Sequence, residues 1–311
     1  GATFTPAMLA DFLASKIAIY MKKGKLRVLD PACGEGELLL SICQKLSDLK
    51  TDFEIVGYDS NDQYLNIANE RMVSFGLKNI NLVQDDFLQA IDLTEEQLLF
   101  NFNSTIQSSL NNSFDIVIAN PPYVRTQLLG TEQAQELARK FNLKGRVDLY
   151  YPFLIAMTES LKEGGILGVI TSNRYLSTRG GESIRKYLSE NYEILELIDL
   201  GDTKLFDAAV LPAIFIGSKS KRKNPAPAKF IKVYEELNGY SGELIPEESI
   251  YEVLNSKQSG YFLAKGKRYK KSSGTLKYKI GSGACWEMLS NNESKKKRNS
   301  NLLRHKGRKR F

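Results

Sequence analysis

Along the first two thirds of the chain, short apolar runs alternate with longer segments in which apolar residues return every three or four positions. Residues 7–21 carry Leu9, Phe12, Leu13, Ile17 and Tyr20 at helical spacing. Thr5 is a good N-cap residue and Pro6 suits the first helical position, which predicts a helix start there. Residues 26–29 then read as a strand, 36–46 as a helix, 54–59 as a strand, 61–75 as a helix and 80–83 as a strand. The run Phe114–Ala119 is apolar throughout except for Asp115, as a strand covered on both faces is. A helix over 148–161 follows, stopped by Lys162-Glu163-Gly164-Gly165. A strand over 166–171, a helix over 181–190 and strands over 194–200 and 210–217 complete the series. Strands alternating with helices predict an α/β fold, a doubly wound and mostly parallel sheet of seven strands. The short link between the last two strands predicts that they pair antiparallel, as a hairpin.

The pattern changes after Ser218. Lys219 to Lys223 is a basic run, and Pro225 and Pro227 mark a linker. Residues 230–234 read as a strand opening a second module, and 264–311 are too poor in apolar residues to build a core of their own. The expected division is a catalytic domain over 1–218 and a basic linker with a partial recognition or disordered segment over 219–311. Charge follows the same division. Residues 1–218 hold 20 Lys and Arg against 28 Asp and Glu, and residues 219–311 hold 23 against 8, within a net charge of +7. A basic second part either meets a polyanion or is a solvated appendage.

Two polar stretches, 88–113 and 124–147, interrupt the series beside the fourth strand and read as an insertion and a long functional loop. No apolar run is long enough for a membrane span and no signal peptide is evident, so no membrane partner is expected. Cys33, Cys43 and Cys285 lack metal-binding spacing, and the odd count fits a reducing, cytoplasmic setting. The sole histidine, His305, lies in the basic tail, which argues against histidine catalysis and a histidine-rich metal site.

Candidate chemistry gathers at the predicted strand ends, where open α/β sheets bind ligands. The first strand runs into Asp30-Pro31-Ala32-Cys33-Gly34-Glu35-Gly36. Gly34 and Gly36 allow a ligand to approach the backbone closely. Leu39 stands where the dinucleotide fingerprint requires glycine, and no Lys-Ser/Thr follows to make a P-loop. An acid at this position suits a ligand with an ammonium group better than a phosphate. Asp59 ends the second strand, placed to grip ribose hydroxyls. Asp86 and Phe87 follow the third, where an acid and a ring suit an adenine, although Asp86 also reads as a plain turn residue. The fourth strand stops at Asn120-Pro121-Pro122-Tyr123, because two prolines cannot continue a ladder. An aromatic amine is a poor nucleophile, since its lone pair is delocalised. The Asn120 side-chain carbonyl and the Pro121 backbone carbonyl are two acceptors able to hold both amine hydrogens. Tyr123 offers a face for a base. The bland alternative is a strand-ending turn.

In order and spacing, these motifs resemble the adenine-specific amino-group DNA methyltransferases of restriction–modification systems, which use S-adenosylmethionine. The resemblance covers residues 3–218: the Thr-Pro start, the Asp30-to-Gly36 turn, Asp59, Asp86-Phe87, Asn120-Pro121-Pro122-Tyr123 and the helix start Asp148-Leu149-Tyr150. It implies that Asp30, Pro31, Ala32, Gly34 and Gly36, with Thr5, hold the methionine end of the cofactor. Asp59 would take its ribose, and Asp86 with Phe87 its adenine. Asn120 would border both cofactor and target. Asn120, Pro121, Pro122 and Tyr123 would bind an adenine flipped out of double-stranded DNA, with Phe206 on its opposite face and no metal involved. Family members usually carry a larger recognition domain than 219–311 allow. The resemblance therefore also implies a specificity subunit or a recognition domain supplied elsewhere.

Two other readings remain open at this stage. Enzymes that methylate a protein glutamine amide also use Asn-Pro-Pro-Tyr, and RNA adenine is a third substrate for the same chemistry. A non-catalytic nucleic-acid-binding module on the same fold belongs to a different class.

Overall fold

The structure is a computed structural model that describes residues 4–91, 110–123, 131–141, 148–203, 211–220, 227–236, 249–264, 266–279 and 285–290. The α/β alternation is present from the start. Helix α1 (Ala7–Ala18) precedes β1 (Leu26–Asp30), α2 (Glu37–Asp48), β2 (Phe53–Asp59), α3 (Asp62–Ser74) and β3 (Ile80–Gln84). The short α4 (Phe87–Ala90) leads toward β4 (Phe114–Ala119). Beyond it lie α5 (Thr131–Lys140), α6 (Tyr150–Ser160), β5 (Leu161–Ser172), α7 (Arg174–Ser177), α8 (Glu182–Asn191), β6 (Tyr192–Asp199) and β7 (Pro212–Lys219).

The strands pair in the order β3-β2-β1-β4-β5-β7-β6. Strands β1 to β5 run parallel to their neighbours, and β7 inserts antiparallel between β5 and β6. Order reverses between β1 and β4, so a crevice opens at the carboxyl ends of those two strands. Side chains alternate faces along each strand. Val28, Ile55 and Ile116 face the layer containing α1, α2 and α3, while Leu29, Val56 and Val117 face the layer containing α6 and α8. Both faces are covered, which is why the strands are apolar almost without interruption.

The sheet does not stop at seven strands. β8 (Ala228–Glu235) pairs parallel with β6 and carries the sheet on through β10 (Lys267–Lys279) to β11 (Cys285–Ser290), with β9 (Gly260–Ala264) also on β10. Among the described residues the sheet has eleven strands, not the expected seven. The strand expected to open a second module instead extends the first sheet, because Phe230, Ile231 and Val233 bury their side chains in the two existing layers. Tyr269 and Leu276 of β10 and Trp286 of β11 join them. Helix α9 (Ile250–Asn255) packs on α1, and the buried ammonium of Lys271 donates to the carbonyls of Val253 and Ser256 at its carboxyl end.

Two local expectations also change. The N-cap of α1 is Pro6, not Thr5. Residues 162–165 do not form a helix-stopping turn but the irregular opening of β5, where the register against β4 shifts between Phe114 and Ile116.

Candidate active site

Parallel pairing brings the strand ends together. Asp30 lies opposite Gly57 in the register of β1 and β2, and Leu29 lies opposite Val117 of β4. The residues that follow these strands surround one cavity of about 560 Å³. Asp30, Pro31, Ala32 and Gly34 form its floor beside β1, and Asp59 borders it from β2. Asp86 and Phe87 enclose it from the turn after β3, while Asn120, Pro121 and Pro122 enclose it from the end of β4. Thr5 closes it from the segment before α1.

Asp30 is buried, at 1% exposure. One carboxylate oxygen accepts the Ala32 N–H at 3.1 Å, and the other has no partner among the described residues. Burial pushes its carboxyl up to about 8, with the Asp59 charge adding to the shift and the Ala32 bond opposing it. A buried acid with an orphaned oxygen on a cavity wall fits a cationic ligand group.

Asp59 does more than face the cavity. Its Oδ2 accepts the Gly34 N–H at 2.9 Å and its Oδ1 accepts the Asn61 N–H at 2.9 Å. The β2 acid thus ties the glycine turn to the start of α3. Asp86 caps α4, accepting the Leu88 N–H at 2.9 Å. Phe87 is buried between Tyr58 and Phe153, at ring separations of 5.5 and 6.4 Å, and still lines the cavity.

The two glycines have different roles. Gly34 has φ +52° and nothing near the place a Cβ would occupy, so its backbone turns in a conformation that favours glycine and leaves the cavity open. A Cβ on Gly36 (φ +81°) would meet Met72 at 2.9 Å and Ala68 at 3.1 Å. Gly36 therefore serves the close packing of α2 on α3.

The Asn120 amide is held at both ends. Its Nδ2 donates to Thr5 Oγ1 at 2.9 Å, and its Oδ1 accepts the Tyr123 hydroxyl. Tyr123 also packs edge-on to Tyr150, at a ring separation of 6.5 Å. Burial pushes the Tyr123 hydroxyl well above the usual tyrosine range, and the neutral hydroxyl donates to Asn120 Oδ1. Phe206 lies outside the described residues, as do parts of both polar stretches.

Several cavity residues escaped the sequence reading. Phe4 and Tyr64 meet edge to face at 5.4 Å beside the opening. Arg71 of α3 donates to the Glu35 carbonyl at 2.8 Å and to the Glu37 carboxylate, pinning the glycine turn from the far side. Gln133 and Leu137 of α5 and Leu149 and Phe153 near α6 complete the wall. Phe4 adjoins Thr5, and Leu149 belongs to the Asp-Leu-Tyr helix start, so both carried a signal. Gln133 and Leu137 sit in a stretch read as a polar loop, where the helical spacing of Ala134, Leu137, Ala138 and Phe141 was the signal. Among the described residues, no group of acids, cysteines and histidines is placed to hold a metal.

Comparison with known proteins agrees with this architecture. Residues 40–206 match the Eco57I restriction-modification methylase family. The chain is 44% identical over 305 residues to the Type II methyltransferase M.BanIII of Aneurinibacillus aneurinilyticus, covering 94% of this chain and 52% of that protein. It is 27% identical over 270 residues to the Type II methyltransferase M.BstVI of Geobacillus stearothermophilus, covering 76% and 45%. It thus spans about half the length of these relatives. Among solved structures, the methyltransferase subunit of a type I restriction-modification system from Streptococcus thermophilus superposes with a TM-score of 0.55 at 22% identity, covering 78% of this chain and 49% of that one. A class I S-adenosylmethionine-dependent methyltransferase fold from Listeria monocytogenes gives the same score and identity, covering 74% and 65%.

Proposed function

Because the chain belongs to the Eco57I restriction-modification methylase family, we propose that it methylates the 6-amino group of an adenine flipped out of double-stranded DNA, using S-adenosylmethionine. The activity would be the modification arm of a restriction–modification system. One observation carries the reading: Asn120 and Asp30, whose second carboxylate oxygen is buried with no partner among the described residues, line the same cavity.

The residues present fit the cofactor. Asp30 would receive its ammonium group, Asp59 its ribose hydroxyls and Asp86 its adenine amino group, with Phe87 against the ring. Pro31, Ala32 and Gly34 would give the methionine end its backbone contacts, and Thr5 would close over it. When bound, S-adenosylmethionine would supply a sulfonium methyl group, a strong electrophile whose carbon–sulfur bond breaks to leave a neutral thioether. The protein's task is then to prepare the amine. Asn120 Oδ1 and the Pro121 carbonyl accept its two hydrogens, draw the lone pair out of the ring and stabilise positive charge as the nitrogen gains a fourth bond. The proton then leaves to water. Pro122 keeps the turn free of N–H donors that would compete for those acceptors. Tyr123 stacks on one face of the base, and Phe206 is the residue proposed for the other. Fixing the reactants in line is worth several kcal/mol, on the order of 7–11 in favourable intramolecular cases.

The basic strands after residue 218 would contact the DNA backbone. Sequence recognition would come from a specificity subunit or a further recognition domain. The test is transfer of labelled methyl groups to duplex DNA, RNA and protein. Label in N6-methyladenine of DNA is the expected result. Label confined to RNA or to glutamine would refute the reading, and failure to bind S-adenosylmethionine by calorimetry would favour a non-catalytic module.

A further inference from the structure

We propose that Thr5 is a positioning residue for Asn120, its hydroxyl fixing the amide so that Oδ1 faces the target amine. The inference rests on the reading of Asn120 as the amine acceptor. The two ends of an asparagine amide have nearly the same shape and opposite hydrogen-bonding character. Rotated by half a turn, Asn120 would present an NH2 group to an amine, donor against donor, and the chemistry would stop. Something must therefore set the rotation.

The usual local device is absent. An asparagine side chain often accepts the N–H two residues on, in an Asx turn. Here that residue is Pro122, and the one before it is Pro121, so neither has an N–H to give. The backbone of the two prolines cannot orient the amide, so side chains do. Nδ2 donates to Thr5 Oγ1 at 2.9 Å, across 115 residues of sequence. The other end of the amide accepts the Tyr123 hydroxyl. That second contact takes one of the oxygen's two lone pairs, so it leaves the other for the amine and competes with it for electron density. The Thr5 bond lies on the opposite end and persists.

Thr5 is also not engaged by the helix it precedes. The N-cap of α1 is Pro6, and the Pro6 carbonyl closes the first turn by accepting the N–H groups of Leu9 and Ala10 at 2.9 and 3.0 Å. A threonine that reads as a cap thus turns its hydroxyl toward the end of β4. The rigid start of α1 fixes where that hydroxyl stands, and the close of the β4 strand fixes where it is needed.

The test uses the full-length protein, S-adenosylmethionine and duplex DNA. Thr5→Val keeps the shape and removes the acceptor, and Thr5→Ser keeps the hydroxyl. At saturating cofactor and DNA, Thr5→Val should slow single-turnover methylation about 10- to 100-fold, while Thr5→Ser stays within about threefold of the unmodified protein. Thr5 would also close over the methionine end of the proposed cofactor, so affinity for S-adenosylmethionine is measured separately by calorimetry, and the rate loss in Thr5→Val should persist at saturating cofactor. Because Thr5 acts through Asn120, the Thr5→Val/Asn120→Ala double variant should be no slower than Asn120→Ala alone. Additive losses, a normal rate in Thr5→Val, or a loss cured by raising cofactor concentration would each overturn the proposal. If the unmodified protein methylates no DNA adenine, the functional reading falls and takes this inference with it. If it does and Thr5→Val matches it, the inference falls alone.

Discussion

The carboxylate of Asp59 accepts the backbone N–H of Gly34 at 2.9 Å, so the acid at the end of β2 holds the glycine turn that follows β1. Its second oxygen accepts the Asn61 N–H. Each oxygen retains a lone pair for a ribose hydroxyl. Asp59 therefore shapes the glycine turn and, in the proposed function, would also contact the cofactor.

Removing it should cost on both counts. Asp59→Ala is expected to weaken S-adenosylmethionine binding by roughly 1.5–3 kcal/mol, the scale of hydrogen bonds to a charged group. Asp59→Asn keeps one acceptor oxygen and should lose less. Calorimetry on folded protein measures both, and an unchanged affinity in Asp59→Ala would show that the ribose is held elsewhere.

Asp30 predicts a pH dependence. Its carboxyl is pushed up to about 8 by burial, against an ordinary value of 3.8. Between these values the folded protein keeps a proton that the unfolded chain has lost. Stability of the cofactor-free protein should therefore fall as pH rises from about 4 to about 8, and level off above. A cation beside Asp30 favours its charged form, so cofactor binding at pH 7 should release a proton from this site. Calorimetry in buffers of different ionisation enthalpy detects that proton. Asp30→Asn should flatten the stability profile and abolish this site's proton release; a profile identical to that of the unmodified protein would assign the effect to another group.

Much of this was legible in the sequence because parallel strands end together. Once 26–29, 54–59, 80–83 and 114–119 are read as strands of one parallel sheet, the residues after them must meet at one edge. Asp30, Asp59, Asp86 and Asn120 do line one cavity. Thr5 was misread because capping rules are local, whereas its hydroxyl finds a partner 115 residues away. Strand β10 was hidden by its composition. Lys271 is buried there because α9 offers it two carbonyls, and Tyr269 and Leu276 face the core from a strand rich in Lys and Ser. Its pairing with β8 from Leu276↔Ala228 to Tyr269↔Glu235 is a tertiary fact that composition does not carry. Gln133 and Leu137 join the site because α5 forms over a segment that is polar on average, although Ala134, Leu137, Ala138 and Phe141 recur at helical spacing within it.

Asn120 and Tyr123 share a hydrogen bond and should nevertheless respond differently to substitution. Asn120→Ala removes an acceptor whose worth grows as the amine becomes positive. The loss should fall on turnover, of order 10²–10³, the scale for deleting one electrostatic partner of a transition state. Tyr123→Ala removes a stacking face worth roughly 1–3 kcal/mol and should weaken binding of the flipped base as well. Tyr123→Phe keeps that face. It also removes the hydroxyl that shares Asn120 Oδ1 with the amine, leaving both lone pairs of that oxygen available. Affinity for DNA with a mismatched target, whose base flips more readily, should be unchanged or tighter in Tyr123→Phe and weaker in Tyr123→Ala. Single-turnover rates and binding to such DNA separate the three variants. A severe turnover loss in Tyr123→Phe would make the hydroxyl part of the chemistry, and an Asn120→Ala enzyme with normal turnover would remove the amine acceptor from the centre of the mechanism.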